Sequence, residues 1–253
     1  HRARVTGEVR VIPLRGIPEL AAGDDLAAAI AAAAAAVGGL AGGDVVVVAQ
    51  KAVSKVEGRV VRLVEVEPSA RAVELAGPDG DPRHLEAILR ETAEVVRSRP
   101  PLVIARTRHG FVCASAGVDA SNAPAPDVVV LLPVDPDASA ARLRAGLVAA
   151  TGAEVGVIVS DSFGRAWRQG TTDVALGVAG VAALRDLRGT VDGTGHHVLR
   201  TTQIAVADEI AGAAELVMGK ADRVPAAIVR GVAARGEGSG RDLVLPLERD
   251  LFR

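Results

Sequence analysis

Short apolar runs separated by polar clusters dominate the chain, and the run Val155–Val159 shows the pattern most clearly. It is β-branched and apolar at both alternating sets of positions, which is typical of a strand buried on both faces of a sheet. Further strands are predicted at Val9–Leu14, Asp44–Ala49, Val60–Pro68, Leu102–Ala105, Phe111–Ala114, Asp127–Pro133, Val198–Ala205 and Pro225–Val232.

Helices are predicted where a capping residue precedes a periodic apolar segment. They are an alanine-rich helix capped by Asp24 or Asp25 and ended by Gly38-Gly39, one from Ser69 to Ala76, one opened by Asp81-Pro82 and running over 84–97, one over 139–152 capped by Asp137 or Ser139, and one from Asp208-Glu209 to Met218. The mixture predicts an α/β (mixed α+β) fold. The stretch Gly170–Val181 is glycine-rich and apolar, which indicates backbone packed closely against another segment.

The candidate chemistry begins where the run Val155–Val159 stops. Ser160, Asp161 and Ser162 follow it directly, and their hard oxygen atoms suit Mg²⁺ or Mn²⁺. Arg165 and Arg168 come next, and guanidinium groups can bind phosphate oxygens in pairs. The alternative is an Asx or Ser turn with solvated arginines. Taken alone, this segment fits the turn better than the site.

Two further polar clusters follow predicted strands. In the first, Lys51 and Lys55 lie one helical turn apart if the segment after Ala49 is helical, so they could clamp a phosphate or form a solvated charged face. In the second, Asp119 and Asn122 are three residues apart and could offer a carboxylate and an amide to one metal–nucleotide unit, or Asp119 could simply cap a turn. Several such clusters favour a shared site.

Composition narrows the function classes. A net charge of −2 and 2% aromatic residues argue against a nucleic acid or membrane partner, and no P-loop or dinucleotide-binding glycine motif occurs. The single cysteine, Cys113, excludes an internal disulfide and a cysteine zinc cage, which favours a reducing, cytoplasmic location. The apolar segment Leu26–Val37 is too short to span a bilayer, and no secretory signal precedes it.

Six motifs in order resemble the coenzyme F420-0:L-glutamate ligase family. They are IPLRGIP at 12–18, AQKAVSKVEGR at 49–59, AGVDASN at 116–122, SDSFGRAWRQG at 160–170, VADEIAGAAELVMGK at 206–220 and PAAIVRG at 225–231. The resemblance implies an α/β fold of neither Rossmann nor P-loop type and an intertwined homodimer with its site near the subunit interface. It covers residues 1–245 as the ligase domain, which could comprise two lobes. In actinobacteria this domain is often fused to a C-terminal nitroreductase-like flavin domain, and residues 246–253 resemble the start of such a connection.

The same resemblance implies GTP-dependent ligation of L-glutamate to the lactyl carboxylate of the deazaflavin F420-0 or dehydro-F420-0, through an acyl phosphate. Later glutamates are joined by γ-linkages. It implies Mg²⁺ or Mn²⁺, with K⁺ as a further candidate cofactor. The resemblance assigns metal binding to Asp119, Asp161 and Ser162. It assigns stabilisation of the negative charge on the transferring phosphoryl group to Lys51, Lys55 and Arg165. The nucleotide is assigned to Arg15, Gly16, Ile17, Pro18, Gln50, Lys51, Lys55, Asn122, Met218, Gly219, Lys220, Ala221 and Asp222.

One position departs from the family pattern. Archaeal members carry a glutamate metal ligand where this chain has Lys220, so either Asp222 replaces that ligand or Lys220 itself offsets phosphate charge. Two rival functions fit the residues less completely: a metal-dependent phosphohydrolase, and a GTP-binding domain that turns nothing over. Neither explains six motifs in register.

Overall fold

The computed structural model describes residues 7–251 and has the predicted mixed α/β architecture. Its helices are α1 Leu26–Ala35, α2 Gln50–Val56, α3 Ala70–Ala76, α4 Pro82–Glu91, α5 Pro136–Thr151 and α6 Val206–Met218. Its strands are β1 Arg10–Pro13, β2 Val45–Ala49, β3 Val60–Arg62, β4 Thr92–Arg99, β5 Leu102–Thr107, β6 Val112–Ala114, β7 Val128–Val130, β8 Gly156–Arg165, β9 Arg168–Ala179, β10 Arg185–Asp186, β11 Gln203–Ile204 and β12 Ala226–Arg230.

A five-stranded sheet with the order β1-β12-β2-β8-β9 forms the centre of the fold. Its neighbours are antiparallel except for β2 and β8, which run parallel with Ala49 beside Ser160. Carboxyl ends of parallel neighbours meet at the same edge of a sheet. The segments that follow Ala49 and Val159 are therefore brought together, and this is where the polar clusters lie.

Both faces of this sheet are covered, which explains why β2 is continuously apolar. Val46 and Val48 pack with α1 and α5 on one face, whereas Val45 and Val47 pack with α6 on the other. Close packing also explains a glycine in β9: a Cβ atom on Gly177 would lie 2.0 Å from the carbonyl oxygen of Pro136. The prediction of close backbone packing in this stretch is confirmed at Gly177, although the stretch is a strand.

A separate hydrophobic cluster is built from residues 61–131. It lies among α3, α4, the sheet β4-β5-β6 and the pair β3-β7. This region supplies the loop that carries Asp119, and β6 packs against β8.

Several element predictions were wrong in extent. The helix predicted over 84–97 ends at Glu91, because the β-branched run that follows pairs as β4 with β5. The strand predicted to reach Pro68 ends at Arg62 and gives way to a 3₁₀ turn at Leu63–Glu65. The helix α5 begins earlier than predicted, with Asp135 as its N-cap. Of the strand predicted at Val198–Ala205, only Gln203–Ile204 forms.

The run Val155–Val159 also continues beyond its predicted end. Instead of stopping before Ser160, β8 proceeds to Arg165 and turns back as β9, so the polar residues lie in a long hairpin. No helix within residues 7–251 is long and apolar enough to cross a bilayer. Phe252 and Arg253, part of the predicted connection to a further domain, lie outside the described residues.

Candidate functional site

An open cleft of about 630 Å³ lies at the sheet edge where β2 and β8 end their parallel pairing. It is bordered by the turn after β1, the start of α2, the β8–β9 hairpin, the loop near Asn122 and the loop after α6. Of the residues predicted as site residues, those that line it are Ile17, Pro18, Gln50, Lys51, Lys55, Asn122, Asp161, Ser162, Met218, Gly219 and Lys220.

The helix α2 places both predicted lysines on the cleft side. Because the segment is helical, Lys51 and Lys55 lie one turn apart, and both are largely buried. Lys51 Nζ lies 2.9 Å from Asp119 Oδ2, while Lys55 forms an ion pair with Glu19. Each ammonium group is therefore held by a carboxylate of the protein itself, and the alternative of a solvated charged face is wrong.

Gln50 begins the same helix and is fully buried. Its Oε1 accepts a hydrogen bond from Ser54 Oγ at 2.9 Å, whereas its Nε2 has no partner within the part of the chain that the structure describes. A buried amide donor without an acceptor is costly. In a residue that lines the cleft, this donor is well suited to an acceptor on a bound molecule.

A left-handed turn at Ser115–Gly117 brings the chain from β6 to Asp119. Asp119 accepts hydrogen bonds from the backbone and hydroxyl of Ser121 in addition to the Lys51 contact. Burial alone would raise the pKa of this carboxyl, but the hydrogen bond and charge of Lys51, together with Ser121, lower it to about 2. Asp119 is a firmly ionised residue beside the cleft.

The loop after α6 is tied to this aspartate. Lys220 Nζ lies 3.7 Å from Asp119 Oδ2, and Asn122 Nδ2 donates to the Lys220 carbonyl oxygen at 3.0 Å. The loop turns sharply at Gly219, where a Cβ atom would lie 2.2 Å from the Asp222 carboxylate. Ala221 and Asp222 belong to this loop but do not line the cleft.

Asp161 differs from Asp119 in its electrostatics. Burial raises its pKa to about 6, and the neighbouring Asp173 and Asp119 add to the shift against the opposing charge of Lys51. Among the described residues it makes no ion pair and no hydrogen bond to another side chain. A carboxylate in this condition is stabilised by any cation that enters the cleft.

Three acidic residues of the cleft were missed from the sequence: Glu19, Asp173 and Glu215. Asp173 accepts a hydrogen bond from Ser160 Oγ at 2.7 Å and lies opposite Ser162 in the hairpin. Burial raises the pKa values of both Asp173 and Glu215. Recognition of the β8–β9 pairing would have placed Asp173 at the site.

Other predicted residues lie outside the cleft lining. Arg165 is exposed at the end of the hairpin, where its Nη2 lies 3.4 Å from the Gln169 carbonyl oxygen, and Arg168 is exposed beside it. Arg15 and Gly16 are exposed in the turn that leads to Ile17. Within this chain, Arg165 is therefore not gathered with Lys51 and Lys55.

The oxygen donors suit a hard divalent cation that is completed by a nucleotide. Within residues 7–251, no three histidine, cysteine, aspartate or glutamate side chains are placed to share one metal ion. Mg²⁺, however, commonly uses only one or two protein carboxylates together with water and substrate phosphates. Asp161 fits that requirement, whereas the side chain of Ser162, the next residue on β8, points to the opposite face of the hairpin, where Asp173 lies. Asp119 could join Asp161 if Lys51 moved to a phosphate.

Comparisons with known proteins identify the family of the chain. The family model described as F420-0:Gamma-glutamyl ligase matches residues 16–231. The chain is 44% identical over 251 residues to the coenzyme F420:L-glutamate ligase of Methanothermobacter thermautotrophicus, covering 97% of this chain and 99% of that protein. It is 41% identical over 247 residues to the protein of that name from Archaeoglobus fulgidus, covering 97% and 96%. The chain belongs to the F420-0:gamma-glutamyl ligase family.

Proposed function

We propose that this enzyme uses GTP to join L-glutamate to the lactyl carboxylate of F420-0 or its dehydro form, and then adds γ-linked glutamates. The observation that carries the proposal is one cleft that is lined both by the basic residues Lys51, Lys55, Lys220 and Arg223 and by Asp161, Asp173 and Glu215. Such a site offers cations for a triphosphate and carboxylates for a divalent metal. The family assignment supplies the substrate class.

A carboxylate is a poor acyl donor, so the proposed reaction first transfers the γ-phosphoryl group of GTP to the lactyl carboxylate oxygen. The glutamate amine then attacks the acyl carbon and releases phosphate. Phosphoryl transfer depends mainly on positioning and on compensating negative charge. Lys51 and Lys55 lie close enough on α2 to serve one phosphate chain, once they leave Asp119 and Glu19.

The nucleotide is proposed to lie along Ile17-Pro18, Gln50 and the loop after α6. The unpartnered Nε2 of Gln50 supplies a donor, and Asn122 holds the loop over the cleft through the Lys220 carbonyl. Lys220 points its ammonium group toward Asp119, which supports a role in offsetting phosphate charge. Asp222 lies against Gly219, which does not favour it as a replacement metal ligand.

Asp161 and Asp119 are proposed to hold Mg²⁺ or Mn²⁺, and K⁺ remains a candidate cofactor. When bound, the divalent ion would offset charge on the phosphates.

The proposed homodimer would provide a way for the exposed Arg165 to act, since the hairpin end could reach the site of a second subunit. A cytoplasmic location and a fused flavin domain stay predictions.

The proposal is tested by measuring GDP release from GTP and Mg²⁺ with F420-0 and L-glutamate added separately and together. GDP formed only with both, with a glutamyl mass increase on the deazaflavin, supports it. GDP formed with neither substrate would indicate a phosphohydrolase. Saturable GTP binding without GDP under every combination would indicate a non-catalytic nucleotide-binding domain.

A further inference from the structure

Aromatic side chains are scarce in this chain, yet three rings line up beside the cleft. The whole sequence has three phenylalanines, one tryptophan and no tyrosine. Phe111 stacks on His109 with ring centroids 5.7 Å apart and an interplanar angle of 23°. Phe163 meets Phe111 edge to face at 6.3 Å and 70°. We call these three residues the aromatic row.

The row starts next to the candidate metal ligand Asp161. Phe163 lies two residues after Asp161 on β8, and the pairing with β9 is regular from Asp161 to Phe163. Alternate residues of a strand share a face and lie about 7 Å apart. The Asp161 carboxylate and the Phe163 ring therefore point to the same side of the hairpin, and the row leads away from the cleft.

Each of the three residues of the row is half-buried. The row is also held in place from behind. His109 Nε2 lies 3.0 Å from the Pro133 carbonyl oxygen and 3.2 Å from that of Val134, which fixes the imidazole against the segment after β7. Partly buried rings that are held in place can bind flat conjugated ring systems through stacking and edge contacts.

We infer that the aromatic row is the subsite for the deazaflavin ring of the acceptor, an inference that rests on the proposed function. The acceptor carries its reacting carboxylate on an arm attached to a flat ring, so its two ends need separate sites. The row lies outside the cleft lining, which leaves the cleft for GTP. A ring on the row would direct the arm past Phe163 toward Asp161.

The main test measures the affinity of the full chain for F420-0 in the absence of glutamate. The fluorescence anisotropy of the deazaflavin reports the binding. Phe163→Leu and Phe111→Leu keep apolar volume but remove the ring. Each is expected to weaken F420-0 binding by roughly tenfold, the usual scale for loss of one stacking partner. The KM for GTP should stay unchanged. Val112→Ala is the matched control, because Val112 is an exposed apolar neighbour outside the row.

Wild-type-like F420-0 affinity in both leucine variants would overturn the inference, whereas Phe163→Tyr should retain binding. Far-ultraviolet circular dichroism identifies any variant that fails to fold. For that case, a deazaflavin lacking the phospholactyl arm is added to the GTP-saturated wild-type enzyme. Competition with F420-0 but not with GTP supports the subsite, and no competition with F420-0 contradicts it. If the wild type neither binds F420-0 nor forms product, the proposed function itself fails.

Discussion

Replacing either candidate metal-binding aspartate with asparagine should change the free energy of unfolding, but in opposite directions. Asp161→Asn removes a carboxylate that the folded protein holds at a raised pKa, and Asp119→Asn removes one held at a lowered pKa. Both variants should lose glutamyl transfer. At neutral pH and without metal, however, Asp161→Asn should stabilise the fold while Asp119→Asn should destabilise it. The stabilisation by Asp161→Asn is the result expected when a functional group is kept at a cost in stability.

The magnitude follows from proton linkage. Burial raises the pKa of Asp161 from 3.8 to about 6, so the folded state binds this proton more tightly than the unfolded state. Ionisation therefore destabilises the fold, and the penalty grows between pH 4 and 6 to a value of at most about 3 kcal/mol. The asparagine variant should show this gain at pH 7.5, and the gain should shrink below about 1 kcal/mol near pH 4.

Ionisation of Asp119 affects the stability of the fold in the opposite direction. Although burial opposes it, Lys51 lowers the pKa from 3.8 to about 2, so the ionised form stabilises the folded state above pH 4. That stabilisation disappears as the pH falls toward 2. Since the side chain is 31% exposed, solvent screening reduces the expected loss in Asp119→Asn to about 1–2 kcal/mol at pH 7.5.

Urea unfolding with a metal chelator, at pH 7.5 and at pH 4, measures both effects. The two variants serve as controls for each other, because each makes the same chemical change a short distance from the other. Equal destabilisation by both substitutions at pH 7.5 would refute the reasoning, since it would mean that Asp161 is not penalised for its charge. Full ligase activity in both variants would separately remove the metal-site assignment.

The remaining predictions concern the lysine pair, the loop and the packing. Glu19→Gln frees Lys55 from its ion pair, so GTP should bind up to about fivefold more tightly. Calorimetric titration measures this affinity, and unchanged or weaker binding would show that Glu19 does not compete with the nucleotide. Asn122→Ala removes the hydrogen bond to the Lys220 carbonyl oxygen. The KM for GTP should rise, while the thermal stability stays within experimental error. An unaltered KM would show that this hydrogen bond does not contribute to nucleotide binding. Gly177→Ala places a methyl group against a carbonyl oxygen at the start of α5 and should lower the free energy of unfolding by about 2 kcal/mol or more, as urea unfolding would reveal; a neutral effect would mean that β9 can shift away.

Local sequence signals predicted β1, β2, β12 and the start of β8 because both faces of the central sheet are covered, whereas β9 was not predicted as a strand. Continuous β-branched runs such as Val45–Val48 have few other stable environments. The capping residues Asp25 and Ser69 also marked their helices correctly. The segment after Glu91 was assigned wrongly because its periodicity suited a helix, whereas pairing with β5 decides its structure, and pairing is a long-range property.

The site was predictable where its residues directly follow strands. Lys51 and Asp161 were found this way, because the parallel pair β2 and β8 brings its carboxyl ends together. Asp173 and Glu215 reach the cleft through a hairpin and a helix face, which carry no comparable local signal. The opposite pKa shifts of Asp119 and Asp161 depend on which carboxylate contacts Lys51, and spacing along the chain does not encode that contact.

The most direct test of the account uses F420-0 with ¹⁸O in its lactyl carboxylate, supplied with GTP, L-glutamate and Mg²⁺. If the γ-phosphoryl group is transferred to that carboxylate, one labelled oxygen leaves with phosphate when the amine attacks. The account predicts ¹⁸O-labelled phosphate in equal amount to the glutamyl product and GDP, measured by mass spectrometry. Glutamyl product accompanied by unlabelled phosphate would contradict the acyl-phosphate route, and labelled substrate recovered unchanged beside GDP would contradict the ligase itself.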